Sequence, residues 1–247
     1  MTDRPGAPIL GGRPPPNPRA RRADSAQSAG RPALSDALTT RDYAAAAAAL
    51  GCSPRQIRAV VAVEAAGSGF TTHRGERVPK LLFEPHLFYR NSGAYPVSRV
   101  APHLSRRSWR PGTYNQLGGR RLVRGEDAQH VRLEQAVALD DRFSAGGAVR
   151  DAALASCSWG IGQVLGSHWR SLGYGSLQEF VNAQYLSAAA QLDTFVRFVR
   201  ANVLADEVRR IDGRPANARP FARRYNGPAY AVHGYDRRIA RAYRELG

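Results

Sequence analysis

Apolar residues recur at helical spacing through most of the chain after residue 34. An alanine-rich run predicts a first helix that Thr40 caps, that continues to Leu50 and that Gly51 ends. The same periodicity predicts further helices over residues 125–141, 147–155, 160–169, 176–184, 187–202, 216–224 and 235–246. The pattern therefore predicts a mainly α fold.

The second predicted helix has the clearest start in the chain. Ser53 is its N-cap, Pro54 occupies the first helical position, and Gln56 completes a capping box. We expect this helix to run to about Ala66 and to stop at Gly67.

One stretch is extended rather than helical. Arg74 and Gly75 form a turn signal, and residues 78–83 have strand character, so we predict one small β-hairpin over residues 70–83. A short helix is expected after Pro85, and residues 92–121 are expected to be irregular.

The composition separates a tail from a domain. Residues 1–34 are rich in Pro, Gly, Ala, Ser and Arg, which predicts a disordered basic tail before a domain over residues 35–247. The net charge is +16, and Lys80 is the only lysine. This charge indicates an anionic partner: nucleic acid, anionic lipid or the bacterial cell wall. No recognisable nucleic-acid-binding motif accompanies it, so no nucleic-acid partner is expected.

Several protein classes are disfavoured. Cys52 and Cys157 have neither metal-ligand spacing nor a disulfide framework, so we interpret them as buried thiols and expect no metal or cofactor. No apolar run is long enough to cross a bilayer, and the N-terminus lacks the hydrophobic core of a Sec signal.

Glu64 is the main candidate for chemistry. It continues the apolar stripe of Ile57, Val60 and Val61, and it lies in the last turn, where the helix dipole disfavours a carboxylate. Both features favour the protonated form, which is what a general acid needs near neutral pH. A glutamate that is paired with a buried arginine would fit the same position.

Two further segments combine groups that sugar sites use. Residues 158–163 hold an aromatic, two glycines and an amide at a predicted helix start, and residues 223–228 place Tyr225 and Asn226 before a helix stop. Each is ambiguous alone, because a core tryptophan beside a turn or an ordinary helix end gives the same pattern.

Together, four segments resemble a known family. Residues 63–70, 82–89, 158–163 and 221–230 are similar, in this order, to motifs of the N-acetylmuramidases of phage endolysins and related bacterial proteins. The resemblance covers residues 36–247. It implies a lysozyme-like helical fold and cleavage of the β-1,4 bond between N-acetylmuramic acid and N-acetylglucosamine in peptidoglycan, with Glu64 as the catalytic acid. The residues it places on the sugar are Ser158, Gly160, Gln163, Tyr225 and Asn226.

The second catalytic group departs from the family pattern. Relatives often carry an aspartate nine residues after the catalytic glutamate, where this chain has His73. His73, a hairpin threonine (Thr71 or Thr72) or Glu84 is therefore expected to orient the attacking water, although Glu84 fits a structural ion pair better.

Three alternatives stay open on the sequence: a lytic transglycosylase, which needs a single carboxylate, a catalytically dead wall-binding module, and a nucleic-acid binder. We expect a monomer that reaches the wall through a holin lesion, a secretion machine or lysis, and whose basic tail contacts anionic envelope groups. A phage endolysin and a bacterial effector are both compatible with these expectations.

Overall fold

The structure is a computed structural model that describes residues 36–64, 68–110, 114 and 116–246. The predicted tail and the predicted stop of the second helix at Gly67 lie outside these residues. The described helices are α1 (Thr40–Leu50), α2 (Pro54–Glu64), α3 (Pro85–Asn91), α4 (Val97–Val100), α5 (Ala128–Val137), α6 (Leu139–Arg142), α7 (Ala148–Ala155), α8 (Leu177–Leu186), α9 (Ala188–Ala201), α10 (Ala205–Arg209), α11 (Pro215–Asn226) and α12 (Tyr235–Glu245). The strands are β1 (Phe70–His73), β2 (Glu76–Pro79), β3 (Leu81–Phe83), β4 (Cys157–Trp159) and β5 (Val164–Leu165).

The predicted mainly α fold is confirmed, and local signals set the first two helix starts. Thr39 rather than Thr40 caps α1, and Gly51 ends it in the left-handed conformation at φ 64°. At the start of α2, the Ser53 amide donates to Gln56 Oε1 at 2.8 Å, and the Gln56 amide donates back to Ser53 Oγ at 3.3 Å. The predicted capping box therefore forms.

The predicted hairpin is confirmed over its first ten residues only. β1 and β2 pair antiparallel, from Phe70 opposite Pro79 to His73 opposite Glu76. The chain then leaves the hairpin, and β3 becomes the edge of a second, three-stranded antiparallel sheet in the order β3-β4-β5. The sequence predicted one β element, whereas the described residues form two.

The helix predicted over residues 160–169 is wrong. This segment forms a turn, then β5 and a short 3-10 helix at Gly166–His168. Gly160 and Gln163 adopt positive φ values of 64° and 47°, which a right-handed helix cannot accommodate. The predicted helix over 125–141 is divided into α5 and α6. Two short α-helices of the described chain were not predicted: α10, and α4 within the stretch that was expected to be irregular.

Two buried apolar clusters fill the domain. The first joins α1, α2, α9, α11 and α12 through residues such as Ile57, Phe195 and Phe221. The second joins β3, β4 and α3 to α8 through residues such as Phe83 and Trp159. None of the described helices is long and apolar enough to cross a membrane.

Candidate active site

A cleft of about 510 Å³ brings together side chains from both clusters. Five residues that the sequence predicted for the site meet here: Glu64, Thr71, Gly160, Gln163 and Asn226. The remaining lining residues are Lys80, Leu81, Leu82, Asp127 and Tyr235. The cleft therefore unites positions that lie more than 150 residues apart in the sequence.

Glu64 is the last residue of α2 and points into this cleft because it follows the buried face of the helix. Ile57 and Val60 on that face are 0% exposed. Burial raises the pKa of the Glu64 carboxyl from 4.5 to about 7, although a hydrogen bond from Asn226 and the charge of Arg238 act in the opposite direction. A substantial fraction of Glu64 is therefore protonated at neutral pH.

Two C-terminal helices hold Glu64 in place. Asn226, the last residue of α11, donates from Nδ2 to Glu64 Oε1 at 3.2 Å. Arg238 of α12 donates to the carbonyl of Val63 at 3.2 Å and so ties α12 to the residue next to Glu64. Tyr235, the first residue of α12, lines the cleft beside them.

The turn between β4 and β5 contributes Gly160 and Gln163 to the lining of the cleft. Gln163 Nε2 donates to the carbonyl of Gly160 at 3.0 Å, which closes the turn. A Cβ on Gly160 would lie 2.7 Å from Cδ of Gln191, so only glycine fits this position. Trp159 is 1% exposed and donates to the carbonyl of Leu154, so its ring is a core residue rather than a sugar platform.

Gln191, which the sequence did not predict for the site, supports this turn through hydrogen bonds. Its Oε1 accepts from the amide of Ile161 at 3.0 Å, while its Nε2 donates to the carbonyls of Gly69 at 3.2 Å and Gln184 at 2.8 Å. One buried amide thus joins the turn to the segment just before β1. The only available signal was a polar residue on the buried face of α9.

Tyr225 and Ser158 lie behind the cleft wall. The Tyr225 hydroxyl donates to the carbonyl of Gly162, and its ring packs on Phe195, Phe198 and Phe221. Burial raises the pKa of the Tyr225 phenol well above its usual value, so it stays a donor. Ser158 is buried within β4. Neither is among the residues that line the cleft.

His73 is buried, at 6% exposure, and does not line the cleft. Its Nδ1 accepts from the amide of Asp127 at 2.9 Å, which places the ring proton on Nε2, 2.9 Å from Oε1 of Glu134. The ring also stacks on His130 with centroids 5.3 Å apart. Both ring nitrogens therefore bind α5 and its N-cap.

Glu84 is placed in a different polar cluster, beside α3. Its Oε2 accepts from the Tyr114 hydroxyl at 3.0 Å. Burial raises the pKa of the Glu84 carboxyl, while Tyr114 and the buried Arg132 lower it. Glu84 is not among the described residues that line the cleft. In the described part of the chain, no group of three or more His, Cys, Asp or Glu residues could hold a metal ion.

Comparisons with known proteins agree with this geometry. The family model described as N-acetylmuramidase matches residues 53–247. The crystal structure of the Burkholderia AP3 phage endolysin superimposes with a TM-score of 0.66 and 33% sequence identity, over 85% of this chain and 71% of that one. No curated protein matches the chain. The chain therefore belongs to the N-acetylmuramidase family of peptidoglycan hydrolases.

Proposed function

We propose that the chain hydrolyses the β-1,4 bond between N-acetylmuramic acid and N-acetylglucosamine, with Glu64 as the general acid. The observation that carries this proposal is the raised pKa of about 7 for a glutamate that lines a large cleft. An acid with a pKa near the working pH can both hold its proton and give it to a leaving oxygen.

The hydrogen bond from Asn226 determines which oxygen of Glu64 carries that proton. Because Asn226 donates to Oε1, the proton lies on Oε2, which is then the atom that faces the glycosidic oxygen. Asn226 thus orients the acid, and the burial that raises its pKa also keeps bulk water from replacing it as the proton source.

The turn between β4 and β5 and the two C-terminal helices supply the sugar contacts. Gln163, Asn226 and Tyr235 present amide and hydroxyl groups to the cleft, and Gly160 lets a sugar approach the backbone closely. Tyr225 and Ser158 act through the turn rather than on the sugar, since both lie behind it.

The experiment is a digest of purified peptidoglycan, followed by borohydride reduction of the new chain ends. A muramidase leaves reducible muramic acid ends, whereas a glucosaminidase leaves reducible glucosamine ends. We expect muramic acid ends from the wild type and a loss of about 10²–10⁴-fold in rate for Glu64→Gln. Glucosamine ends, or full activity in the variant, would contradict the proposal.

A catalytically dead wall-binding protein is the second candidate, and the same digest tests it. Such a protein would sediment with the wall and release no new ends. The intact contact between Asn226 and Glu64 argues against it, because a decayed site has no reason to keep an oriented acid.

We also propose that the basic residues 1–34 contact anionic groups of the envelope, and that the enzyme reaches the wall through a holin lesion, a secretion machine or lysis. The support is charge: the whole chain carries +16. Arginine-rich segments bind anionic lipid surfaces, and they do so less well in salt.

A further inference from the structure

Two of the described residues that line the cleft carry a carboxylate: Glu64 and Asp127. We propose that Asp127 is the general base that activates the attacking water. This inference rests on the proposed hydrolytic function. It assigns the second catalytic role to the N-cap residue of α5, which lines the same cleft, rather than to the hairpin position nine residues after Glu64.

Within the described part of the chain, hydrogen bonds to only one of its two carboxylate oxygens hold the Asp127 side chain. As the N-cap of α5, its Oδ1 accepts from the amides of Gln129 at 2.9 Å and His130 at 3.2 Å. Among the described residues, no hydrogen bond reaches Oδ2. Capping therefore fixes the orientation of the carboxylate and leaves its second oxygen available for a water in the cleft.

His73 holds the backbone of Asp127 against the hairpin. It accepts from the Asp127 amide and is itself fixed by Glu134 of α5. Arg74, next in the hairpin, pairs with Glu134 at 2.8 Å and with Glu126 at 3.2 Å. We therefore assign His73 as a positioning residue. It stands where relatives often carry an aspartate, and it holds the backbone of Asp127, which carries the catalytic carboxylate in our proposal.

The neighbouring carboxylates form ion pairs or hydrogen bonds with other residues. Glu134 pairs with His73 and Arg74, and Glu126 pairs with Arg74 and Arg120. Glu84 is bound to Tyr114 and does not line the cleft. Asp127 is the remaining described carboxylate that faces the same space as Glu64.

The reaction balances with these two groups. Glu64 gives its proton to the leaving oxygen of N-acetylglucosamine as the bond from C1 of N-acetylmuramic acid to that oxygen breaks. Asp127 takes a proton from water while the water oxygen forms the new bond to C1. Asp127 then releases its proton to solvent and Glu64 regains one, so that one water is consumed for each bond.

Asp127→Asn is the test variant, because asparagine caps helices as well as aspartate does but cannot accept the proton of the water. We expect kcat on peptidoglycan to fall by about 10²–10⁴-fold with an unchanged melting temperature. Asp141→Asn, the same charge change at an exposed position of α6, is the matched control and should keep wild-type kcat.

A second readout separates catalysis from structure. In Asp127→Ala, sodium azide should attack C1 directly, because an anionic nucleophile needs no base, and muramyl azide ends should accumulate. Near wild-type kcat in Asp127→Asn, or a loss of activity in both variants with no muramyl azide formed, would overturn the proposal for Asp127. The proposed function is tested separately, by the release of reducing muramic acid ends from the wild type. A failure of the Asp127 variants to behave as expected would therefore overturn the role of Asp127 and leave the hydrolytic function untouched.

Discussion

Replacing Glu64 by glutamine should stabilise the protein at alkaline pH while it abolishes lysis. In the folded state the carboxyl has a pKa of about 7, against 4.5 for an unperturbed glutamate. Between these two values, the folded protein binds a proton at this site that the unfolded chain has released. Wild-type stability therefore falls as pH rises through this window.

The size of the effect follows from the shift. One pKa unit corresponds to about 1.4 kcal/mol, so the free energy of unfolding should lose about 3 kcal/mol between about pH 4 and about pH 9 through Glu64 alone. Glutamine stays neutral throughout and still accepts from Asn226, so the variant avoids this loss. For a domain of this size, we expect its melting temperature to exceed that of the wild type by roughly 6–12 °C at alkaline pH.

The assay is thermal unfolding of the wild type and Glu64→Gln across this pH range. The two melting temperatures should converge below about pH 5 and separate progressively above it. Glu76→Gln, the same chemical change on an exposed residue of the hairpin, controls for the loss of one negative charge. If the wild type and Glu64→Gln respond to pH in parallel, burial does not raise the pKa of Glu64, and the case for a neutral-pH acid is lost.

Three further predictions concern the surroundings of the acid, the turn and the tail. Arg238→Gln removes a charge that lowers the Glu64 pKa, so the alkaline limb of the pH–rate profile should move to higher pH; an unmoved limb would show that another group controls it. Tyr225→Phe leaves the Gly162 carbonyl without its donor and should cost about 1–3 kcal/mol in urea unfolding, whereas an unchanged midpoint would mean that this hydrogen bond does not support the turn. Deleting residues 1–34 should leave the melting temperature unchanged but slow the lysis of intact cells at low salt; a large fall in melting temperature would instead mean that this segment packs on the domain.

Local patterns predicted the elements that local interactions build. The capping box at Ser53 and the helical stripe ending at Glu64 were readable because their determinants lie within one or two turns. The segment from Gly160 to Trp169 failed for the opposite reason. Its strand β5 is only two residues long and pairs with β4, whose other partner β3 lies more than 70 residues earlier in the chain. A short apolar run of this kind cannot be distinguished from a helix by periodicity.

In the candidate site, too, the sequence predicted the residues that lie in local motifs and missed those that act through long-range contacts. Motifs led to Glu64, Gly160, Gln163 and Asn226, which the fold places in one cleft. Asp127 and Gln191 were missed because their contacts join positions 54 and 122 residues apart. In the sequence, Asp127 is an ordinary helix cap and Gln191 an ordinary helix residue, and nothing local tells which partner each one meets.

The central claim, that Glu64 starts a hydrolysis rather than an internal transfer, is tested most directly by digesting purified peptidoglycan in water enriched in heavy oxygen. If water attacks C1, mass spectrometry should find reducing muramic acid ends that carry one heavy oxygen. If the C6 hydroxyl of the sugar attacks instead, the ends are unlabelled 1,6-anhydro forms, lighter by one water. Labelled reducing ends are the predicted result; a digest dominated by unlabelled anhydro ends would contradict hydrolysis and identify a lytic transglycosylase.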